Sequence, residues 1–418
     1  MDDRSKPTRA TVKGDETSPN VLARLEQPEN GNRSGRFRVL DRSRRPMPTP
    51  HFGLAPLASF ATGTSQLAFT SCDRLGLATH RDVHRAIAET LLGLHRGEEP
   101  LLASAMRLAR TIEAVIGETL GFPRVLLHRS GRSMLGEVLA QLVGSGDQVL
   151  VDTSADPRIR DSVRSTGATL VDATYTDPES MFHRLIDLRE ANPRAGLVVT
   201  QSYFPHDAQS PDLGLLKALC DHHDATLVVD ATHDFGCIGP RGGGFLAVQE
   251  VLPYVEVVTA ELSETFGSDA GFVAVRSDAA YRHLAAALGA SASMPPVRAA
   301  ELLAALELSR SANGDALRTR LARAADTVRR GLAARGFHVV GSAGPVVAVH
   351  VGDPDLAVLL HQYLETEGAV AEIVVPPDSG RGARLLFHVT ALHTEAQALE
   401  AVRALDAAHS IVRWTPSA

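Results

Sequence analysis

The chain has 418 residues and a formal net charge of −7, and 44% of its residues are hydrophobic while 22% are charged. This length exceeds what one small core needs and suits two closely joined domains. The weak negative charge, without a basic stripe interleaved with aromatic residues, argues against a nucleic-acid-binding protein.

The cysteines and the apolar runs indicate where the protein works. Cys72, Cys220 and Cys237 are odd in number and lack C-x-x-C spacing, which argues against a disulfide scaffold or a zinc site. No apolar run reaches the length of a membrane-spanning helix, and the polar N-terminus lacks the apolar core of a signal peptide. We therefore expect a cytoplasmic protein without a membrane span.

Residues 1–50 form the first predicted segment. They contain eleven basic and seven acidic residues and are rich in Pro, Gly, Asn and Ser, without sustained periodicity. Such a composition cannot bury enough apolar surface to order itself. We expect a disordered N-terminal tail, and a docking arm for a partner is the alternative.

Residues 51–290 predict a large α/β domain with an N-terminal arm. Short apolar runs alternate there with helical stretches such as residues 215–222. Nearly continuous apolar runs are typical of strands covered on both faces, and their alternation with helices predicts a mostly parallel sheet. The apolar runs are residues 125–127, 149–151, 197–200, 226–229 and 255–259.

Residues 291–418 predict a linking helix and a smaller α+β domain. A helical region rich in Ala, Leu and Arg follows Pro295 and Pro296 and extends to about Arg335. Three further strands and two helices then close the chain. These strands are predicted at residues 346–351, 370–375 and 384–389.

Polar residues follow several strands at their carboxyl ends, where ligands gather in open α/β sheets. Asp230–Gly239 reads D-A-T-H-D-F-G-C-I-G, and Thr259–Gly267 reads T-A-E-L-S-E-T-F-G. These segments resemble D-[DE]-A-H-S-x-G-x-x-G and T-L-S-K-A-F-G of the α-oxoamine synthases, the family of 8-amino-7-oxononanoate synthase and serine palmitoyltransferase. That family consists of pyridoxal-phosphate (PLP) enzymes that condense amino acids with acyl thioesters.

Five more segments resemble the same family, in order, between about residues 65 and 410. Leu75–His80 looks like Y-L-G-L-A-x-H, Ser130-Gly131 like S-G-Y, and Thr200–Asp207 like T-E-S-V-F-S-M-D, while Ser293–Pro296 and Ala391–Thr394 resemble later landmarks. The resemblance implies an aspartate-aminotransferase-like fold (PLP fold type I) with a mostly parallel seven-stranded sheet, a smaller α+β C-terminal domain, and a dimer.

The resemblance also implies roles for single residues. Asp230 matches the aspartate that meets the pyridine nitrogen of PLP, and His233 matches the histidine beside the ring oxygen. Glu264 stands where the family has the lysine that holds PLP as a Schiff base. We expect that no lysine of the chain can replace it. These lysines are Lys6, Lys13 and Lys217.

Four other pocket positions depart from the family pattern. The phosphate-binding threonine is Glu261, the histidine that stacks on the ring is Asp156, and the aromatic residue after Ser-Gly is Arg132. The R-x-R pair, whose arginine grips the amino-acid carboxylate, reads Arg-Leu-Leu from Arg384.

Electrostatics argues in the same direction. PLP carries a phosphate dianion and a phenolate, and a carboxylate about 5 Å from one such charge costs roughly 3 kcal/mol at an effective dielectric near 20. Glu261 and Glu264 would each impose this cost. We therefore expect no covalently bound cofactor and weak PLP binding at best. No compact metal-ligand spacing occurs either, so no metal site is assigned.

Two hypotheses follow for the site. In the first, the site is retired: Arg132 pairs with Glu264 or Glu261, and Asp230 and His233 persist as a hydrogen-bonded couple. The chain would then be an inert subunit in a heterodimer with a lysine-bearing paralogue, since family active sites lie at the dimer interface.

In the second hypothesis the site is repurposed. Glu264 acts as general base and His233 as acid, with Asp230 beside them, in a PLP-independent acyl transfer, condensation or hydrolysis. The substrate is a thioester of CoA or of an acyl carrier protein, and the dimer could be a homodimer or a heterodimer with a paralogue.

This second hypothesis predicts an acidic cluster at one strand edge, which could alternatively hold a divalent cation or an amine. A sugar-dehydrase-like use of free pyridoxamine phosphate is disfavoured because Glu264 is not a histidine. The predicted cluster is Asp156, Asp207, Asp230, Glu261 and Glu264 with His206 and His233. Substrate binding is assigned to Asp156, Arg132, His206, Asp207, Glu261 and Arg384.

Overall fold

The structure is a computed structural model. It describes residues 57–59, 65–175, 177–191, 196–289, 294–341, 344–375 and 382–412. The predicted tail lies outside the described residues, as do Lys6 and Lys13. The boundaries given above for the tail and the two domains remain predictions.

Strands and helices alternate through most of the described chain. The strands are β1 (Leu57–Ser59), β2 (Ser65–Phe69), β3 (Arg124–His128), β4 (Gln148–Asp152), β5 (Thr169–Ala173), β6 (Gly196–Gln201), β7 (Ala225–Asp230), β8 (Val257–Glu261), β9 (Gly271–Val275), β10 (Val339–Val340), β11 (Val346–Gly352), β12 (Ala369–Val374) and β13 (Ala383–His388). The helices are α1 (Arg81–Arg96), α2 (Leu101–Leu120), α3 (Gly131–Leu142), α4 (Pro157–Ser165), α5 (Pro178–Ala191), α6 (Leu213–His222), α7 (Gly244–Val248), α8 (Ser263–Phe266), α9 (Asp278–Leu288), α10 (Pro296–Ser309), α11 (Ala312–Ala333), α12 (Pro354–Thr366) and α13 (Glu395–Val412).

The first sheet has seven strands in the order β3-β9-β8-β7-β6-β4-β5. Only β9 runs antiparallel to its neighbours, and the other pairs in this sheet are parallel. Along β4, Leu150 packs in one core cluster while Val149 and Val151 pack in another, so both faces of the strand are covered. Such double burial explains the continuous apolar runs. The predicted mostly parallel seven-stranded sheet is confirmed.

The second sheet has six strands in the order β1-β2-β12-β13-β11-β10. β12, β13 and β11 form an antiparallel ladder, and β2 adds to it by pairing parallel with β12. The N-terminal arm therefore contributes its strands to the sheet of the C-terminal part. Its local sequence gives no hint of this, because the pairing joins residues that are about 300 positions apart.

The parallel strands of the first sheet end at one edge, and polar residues lie there. β4, β7 and β8 end in Asp152, Asp230 and Glu261. The chain then turns: the Asp156 carboxylate caps α4 by accepting the backbone N–H of Arg158 at 2.8 Å. An aspartate at this position satisfies a helix N–H that otherwise has no partner. This edge is where the fold gathers the predicted site.

Two further predictions concern membranes and cysteines. Every helix in the described ranges is either too short or too polar to cross a membrane. Cys72, Cys220 and Cys237 are free thiols, and burial raises the pKa of each to about 12. None is a ready thiolate nucleophile. The cytoplasmic location stays a prediction.

Candidate functional site

His233 lies at the centre of the candidate site. Its side chain is 9% exposed, its Nε2 lies 4.0 Å from Asp156 Oδ2, and its Nδ1 lies 3.8 Å from Glu264 Oε2. These are contacts between charges, too long for hydrogen bonds. Both ring nitrogens are buried, and neither has a hydrogen-bond partner among the described residues. Burial disfavours the imidazolium, but Glu264, Asp230 and Asp156 raise the pKa of His233 above its usual value.

Asp230 ends β7 beside His233 and is buried. Its Oδ1 accepts the backbone N–H of Thr232 at 3.1 Å, and its Oδ2 accepts the Thr259 hydroxyl at 3.1 Å. Burial raises the pKa of this carboxyl group. The hydrogen-bonded couple predicted for Asp230 and His233 is not formed, because the imidazole nitrogens approach Asp156 and Glu264 instead.

Glu264 forms a buried ion pair with Arg74. Arg74 Nη2 lies 3.2 Å from Glu264 Oε2, and the two side chains are only 1% and 16% exposed. Burial alone would raise the pKa of Glu264, but the charges of His233 and Arg74 hold it well below its usual range. Such a weakly basic carboxylate is a poor proton acceptor near neutral pH. The ion pair with Arg74 and the lowered pKa argue against the predicted role of Glu264 as general base.

Arg158 links Asp156 to Glu261. Its Nη2 lies 2.9 Å from Asp156 Oδ2, its Nη1 lies 2.9 Å from Glu261 Oε2, and its side chain is 39% exposed. The sequence-based hypothesis that Arg132 pairs with Glu261 or Glu264 is wrong. Arg132 is exposed in the first turn of α3, at the rim of the cleft.

The predicted acidic cluster is instead a chain of alternating charges. Each contact joins opposite charges if His233 is protonated, at 2.9 to 4.0 Å. Because every carboxylate has a cationic neighbour, the repulsion expected for an anionic coenzyme is largely cancelled. In the described residues, no group of three or more His, Cys, Asp or Glu is placed to hold a metal ion. The charge chain is Arg74, Glu264, His233, Asp156, Arg158 and Glu261.

Asp207, His206 and Arg384 form a second group near the first. Arg384 pairs with Asp207, both nearly fully buried, and its Nη1 also donates to the His206 carbonyl oxygen at 2.6 Å. Burial lowers the pKa of the His206 imidazole. The Arg384 guanidinium is therefore engaged within the protein, and the assignment of these three residues to substrate binding stays a prediction.

The cleft beside His233 is small. The open cavity is about 30 Å³, which is room for about one water molecule. The Arg158 guanidinium occupies the adjacent space between Asp156 and Glu261. Gly131, at the start of α3, touches the Glu261 side chain so closely that a Cβ there would lie 2.6 Å from Glu261 Cγ. The family's S-G turn and its phosphate-binding position are thus neighbours in this chain too.

Sequence reasoning missed the two arginines that balance the site. Arg74 immediately precedes the Leu75–His80 motif, and Arg158 follows Asp156 by two positions. Both lie next to segments that were recognised, but charge partners across 103 to 190 positions leave no pattern in one sequence. Only proximity to a motif could have pointed to them.

Lys217 does not take the place of the missing lysine. It lies on α6 and pairs with Asp221 and, at 2.9 Å, with Glu256. Glu256 directly precedes β8, whereas Glu261 ends that strand, so Lys217 lies at the opposite edge of the sheet from the candidate site.

Comparison with known proteins gives a consistent result. The family model for aminotransferase class I and II matches residues 118–405. An 8-amino-7-oxononanoate synthase from Dechloromonas aromatica (strain RCB) is 31% identical over 376 residues, which is 88% of this chain and 95% of that protein. Another from Pseudomonas paraeruginosa (strain DSM 24068 / PA7) is 33% identical over 353 residues, or 82% and 86% of the two chains.

The chain belongs to the aminotransferase class I and II family, among the α-oxoamine synthases.

The fold of this α-oxoamine synthase relative also matches solved structures. A lysine-to-alanine variant of serine palmitoyltransferase from S. paucimobilis with bound PLP–myriocin aldimine has a TM-score of 0.79 at 23% identity, covering 88% of this chain and 93% of that one. An 8-amino-7-oxononanoate synthase from Francisella tularensis has a TM-score of 0.69 at 18% identity, covering 83% and 98%. The predicted PLP fold type I is confirmed.

The expectation that the chain does without PLP is wrong. It was drawn from the missing lysine and from the charges of Glu261 and Glu264. The family is one of PLP enzymes, and a serine palmitoyltransferase that has lost a lysine still carries a PLP adduct. The electrostatic argument also fails, because Arg158 and Arg74 neutralise the two glutamates.

The side chains of the cleft fit PLP in chemistry. Asp230 and the two unpartnered nitrogens of His233 are present, and Arg158 and the start of α3 lie on the side of Glu261 where the family binds phosphate. The open cavity of about 30 Å³ has no room for PLP while Arg158 lies between Asp156 and Glu261, so binding would require the Arg158 guanidinium to exchange one of these partners for the phosphate.

Proposed function

We propose that this α-oxoamine synthase relative binds PLP without a covalent bond and acts on an acyl thioester. The observation that carries the proposal is His233: two buried ring nitrogens without a hydrogen-bond partner lie beside the buried carboxyl group of Asp230. Buried polar atoms of this kind call for a water, an ion or a ligand to complete their hydrogen bonds, and His233 lines the cleft. The relatives named above support the reaction class, and a CoA or acyl-carrier-protein thioester, a dimer and a cytoplasmic location belong to the same proposal.

Four residues would hold PLP in this cleft. Asp230 would meet the pyridine nitrogen and His233 the ring oxygen, as the family pattern implies. Arg158, with Arg132 at the rim, would meet the phosphate at the start of α3, where a helix N-terminus also favours an anion. Arg158 must first release Asp156 or Glu261, and its partial exposure makes that release inexpensive. Bound PLP would supply an electron sink for a carbon next to an amine.

Three side chains of the site, those of His233, Glu264 and Asp230, differ in how readily they hold a proton. Glu264 and Asp156 flank His233 and favour its protonated form, from which it can donate a proton to a developing oxyanion. Glu264 stays ionised beside Arg74 and does not accept that proton. Asp230, whose pKa is raised by burial, ionises when a cationic nitrogen faces it.

A second candidate is the inert subunit of a heterodimer with a lysine-bearing paralogue. Two observations favour it: Arg158 nearly fills the cleft, and Arg384 is engaged by Asp207 instead of being available to a carboxylate substrate. The two candidates differ in one measurable respect. The purified chain, loaded with PLP and an amino acid, releases free thiol from an acyl-CoA only if it is itself an enzyme, whereas an inert subunit co-purifies with its paralogue and releases none.

PLP binding is tested by equilibrium dialysis and absorbance titration of the purified full chain. We expect saturable binding that gel filtration reverses, and no stoichiometric mass adduct after borohydride reduction. Asp230→Asn should weaken binding about 10- to 100-fold, the effect of losing a hydrogen bond to a charged group. His233→Gln should weaken it as well.

The matched control is His223→Gln, because His223 lies outside the cleft at the end of α6. It should bind PLP as the wild type does. Binding that is unaffected by Asp230→Asn, or equally weak in the His223 control, would sink the proposal.

A further inference from the structure

Arg74 and Glu264 meet at the position of the family's lysine. They are 190 residues apart in the chain, and their side chains pair at 3.2 Å with almost no exposure of the guanidinium. Arg74 Nη1 also donates to the Ser71 carbonyl oxygen at 3.3 Å, which ties the guanidinium to the segment after β2. The Arg74 guanidinium therefore contacts both the Glu264 carboxylate and the backbone at Ser71.

Both members of the pair depart from the family pattern. The match of Leu75–His80 to Y-L-G-L-A-x-H places Arg74 at the tyrosine, and the match to T-L-S-K-A-F-G places Glu264 at the lysine. Arg74 alone would be a buried cation without a carboxylate, and Glu264 alone would keep only its longer contact with His233, so either change by itself is destabilising. The two changes together leave a neutral pair.

We propose that Arg74 and Glu264 are a coupled exchange that replaces the lysine, in which Arg74 is a positioning residue that fixes the Glu264 carboxylate 3.8 Å from His233. A guanidinium is always protonated and cannot act as an amine nucleophile. The exchange therefore puts a neutral ion pair where the family has a lysine, and it abolishes covalent attachment of a carbonyl.

The groups that face His233 come from several elements. Glu264 belongs to α8, Asp156 caps α4, and Asp230 ends β7. His206 is a further titratable neighbour: burial and the charge of His233 lower the pKa of its imidazole. Removing Arg74 or Glu264 shifts the charge balance around this imidazole in opposite directions, while the other groups stay in place.

The proposal depends on the proposed function only in that the same cleft would receive PLP, and its test uses the protein without PLP. A double-mutant cycle of Arg74→Met, Glu264→Gln and both together is read out by melting temperature and by the NMR-detected titration of His233. Each single change should lower the melting temperature, and the double variant should recover most of that loss, because it leaves no unpaired charge.

The His233 titration is the readout that a purely structural role would not move. Glu264→Gln should lower the pKa of His233 by about one unit or more, Arg74→Met should raise it, and the double variant should return it towards the wild-type value. If Arg74→Met does not fold, Arg74→Lys keeps the charge and should leave the His233 titration near that of the wild type.

Losses of melting temperature that simply add would overturn the coupling. A His233 titration that is the same in the wild type and in Glu264→Gln would overturn the positioning role. Arg107→Met is the matched control, since Arg107 pairs with Glu99 at 2.8 Å on the surface and should change neither readout. Failure of PLP to bind would contradict the proposed function. It would not affect the melting temperatures or the His233 titrations, because both are measured without PLP.

Discussion

Two arginines balance the glutamates of this cleft, and they do so in different surroundings. Arg74 is 1% exposed and pairs with one carboxylate, that of Glu264, whereas Arg158 is 39% exposed and divides its guanidinium between Asp156 and Glu261. A buried pair cannot be broken without leaving a charge in a medium that solvates it poorly. The carboxylates are similarly buried in all three pairs, at 14% to 17% exposure, so the difference lies in the arginines: water reaches the Arg158 guanidinium and can replace its partner at lower cost.

The difference in exposure suggests different roles for the two arginines. The Arg74–Glu264 pair is a fixed part of the fold and sets the electrostatic environment of His233. In the function proposed above, the Arg158 pairs would open to admit the anionic group of a ligand. Glu264, which stands in place of the lysine, thus belongs to the buried ion pair, whereas the more exposed ion pairs of Arg158 involve Glu261. Three measurements can break or sharpen this comparison.

The largest effect is expected from Arg74→Met. The substitution leaves Glu264 buried without its guanidinium, and removing one partner of a buried pair costs about 3–5 kcal/mol of unfolding free energy. Urea unfolding of the wild type and the variant measures this cost. A loss below about 1 kcal/mol would show that Glu264 is solvated, and the pair would then resemble the Arg158 pairs.

An intermediate effect is expected from pH. The pKa of His233 in the folded protein is raised above its usual 6.5, so its contribution to stability is fully present below that pH and is lost as pH rises through the raised value. The pKa of Glu264 is lowered from 4.5, so its contribution is present above that pH and is lost as pH falls.

The two signs together define a testable window between pH 4.5 and 6.5, where both contributions are complete. The stability difference between the wild type and His233→Gln, measured by urea unfolding, should shrink as pH increases from 6.5 through the raised pKa of His233, by about 1.4 kcal/mol for each unit by which that pKa is raised. A difference that is constant from about pH 5 to about pH 9 would contradict the charged state of His233.

The smallest effect on stability is expected from Arg158→Met. Because the guanidinium is more than a third exposed, solvent screening leaves each of its ion pairs a worth of about 0–1 kcal/mol. Urea unfolding should barely separate this variant from the wild type. A loss as large as that of Arg74→Met would mean that Arg158 is a fixed part of the site and that the cleft does not open by its movement.

Much of the fold could be read from local sequence. The apolar runs of β3, β4, β6, β7 and β8 identified five of the seven strands in the first sheet, because strands buried on both faces carry no alternation with polar residues. β5 was not identified, because it lies at the sheet edge and its residues are mostly only partly buried. β1 and β2 could not be assigned to the second sheet, since their partner β12 is distant in sequence.

The candidate site could be predicted only in part. The positions of Asp230, His233, Glu261 and Glu264 follow from strand ends and motif spacing, and the structure brings them to one edge. Their charge balance was misjudged, because the carboxylates were counted without Arg74 and Arg158. The error passed directly into the expectation that PLP would be repelled.

The sequence by itself determined the family, the parallel sheet and the loss of the Schiff-base lysine, because these depend on residue identity and on spacing along the chain. The tertiary structure decided which cation meets which carboxylate, and hence that the cleft is balanced in charge and not acidic. Ion pairs between distant segments depend on distances in space, which one sequence does not encode in any local pattern.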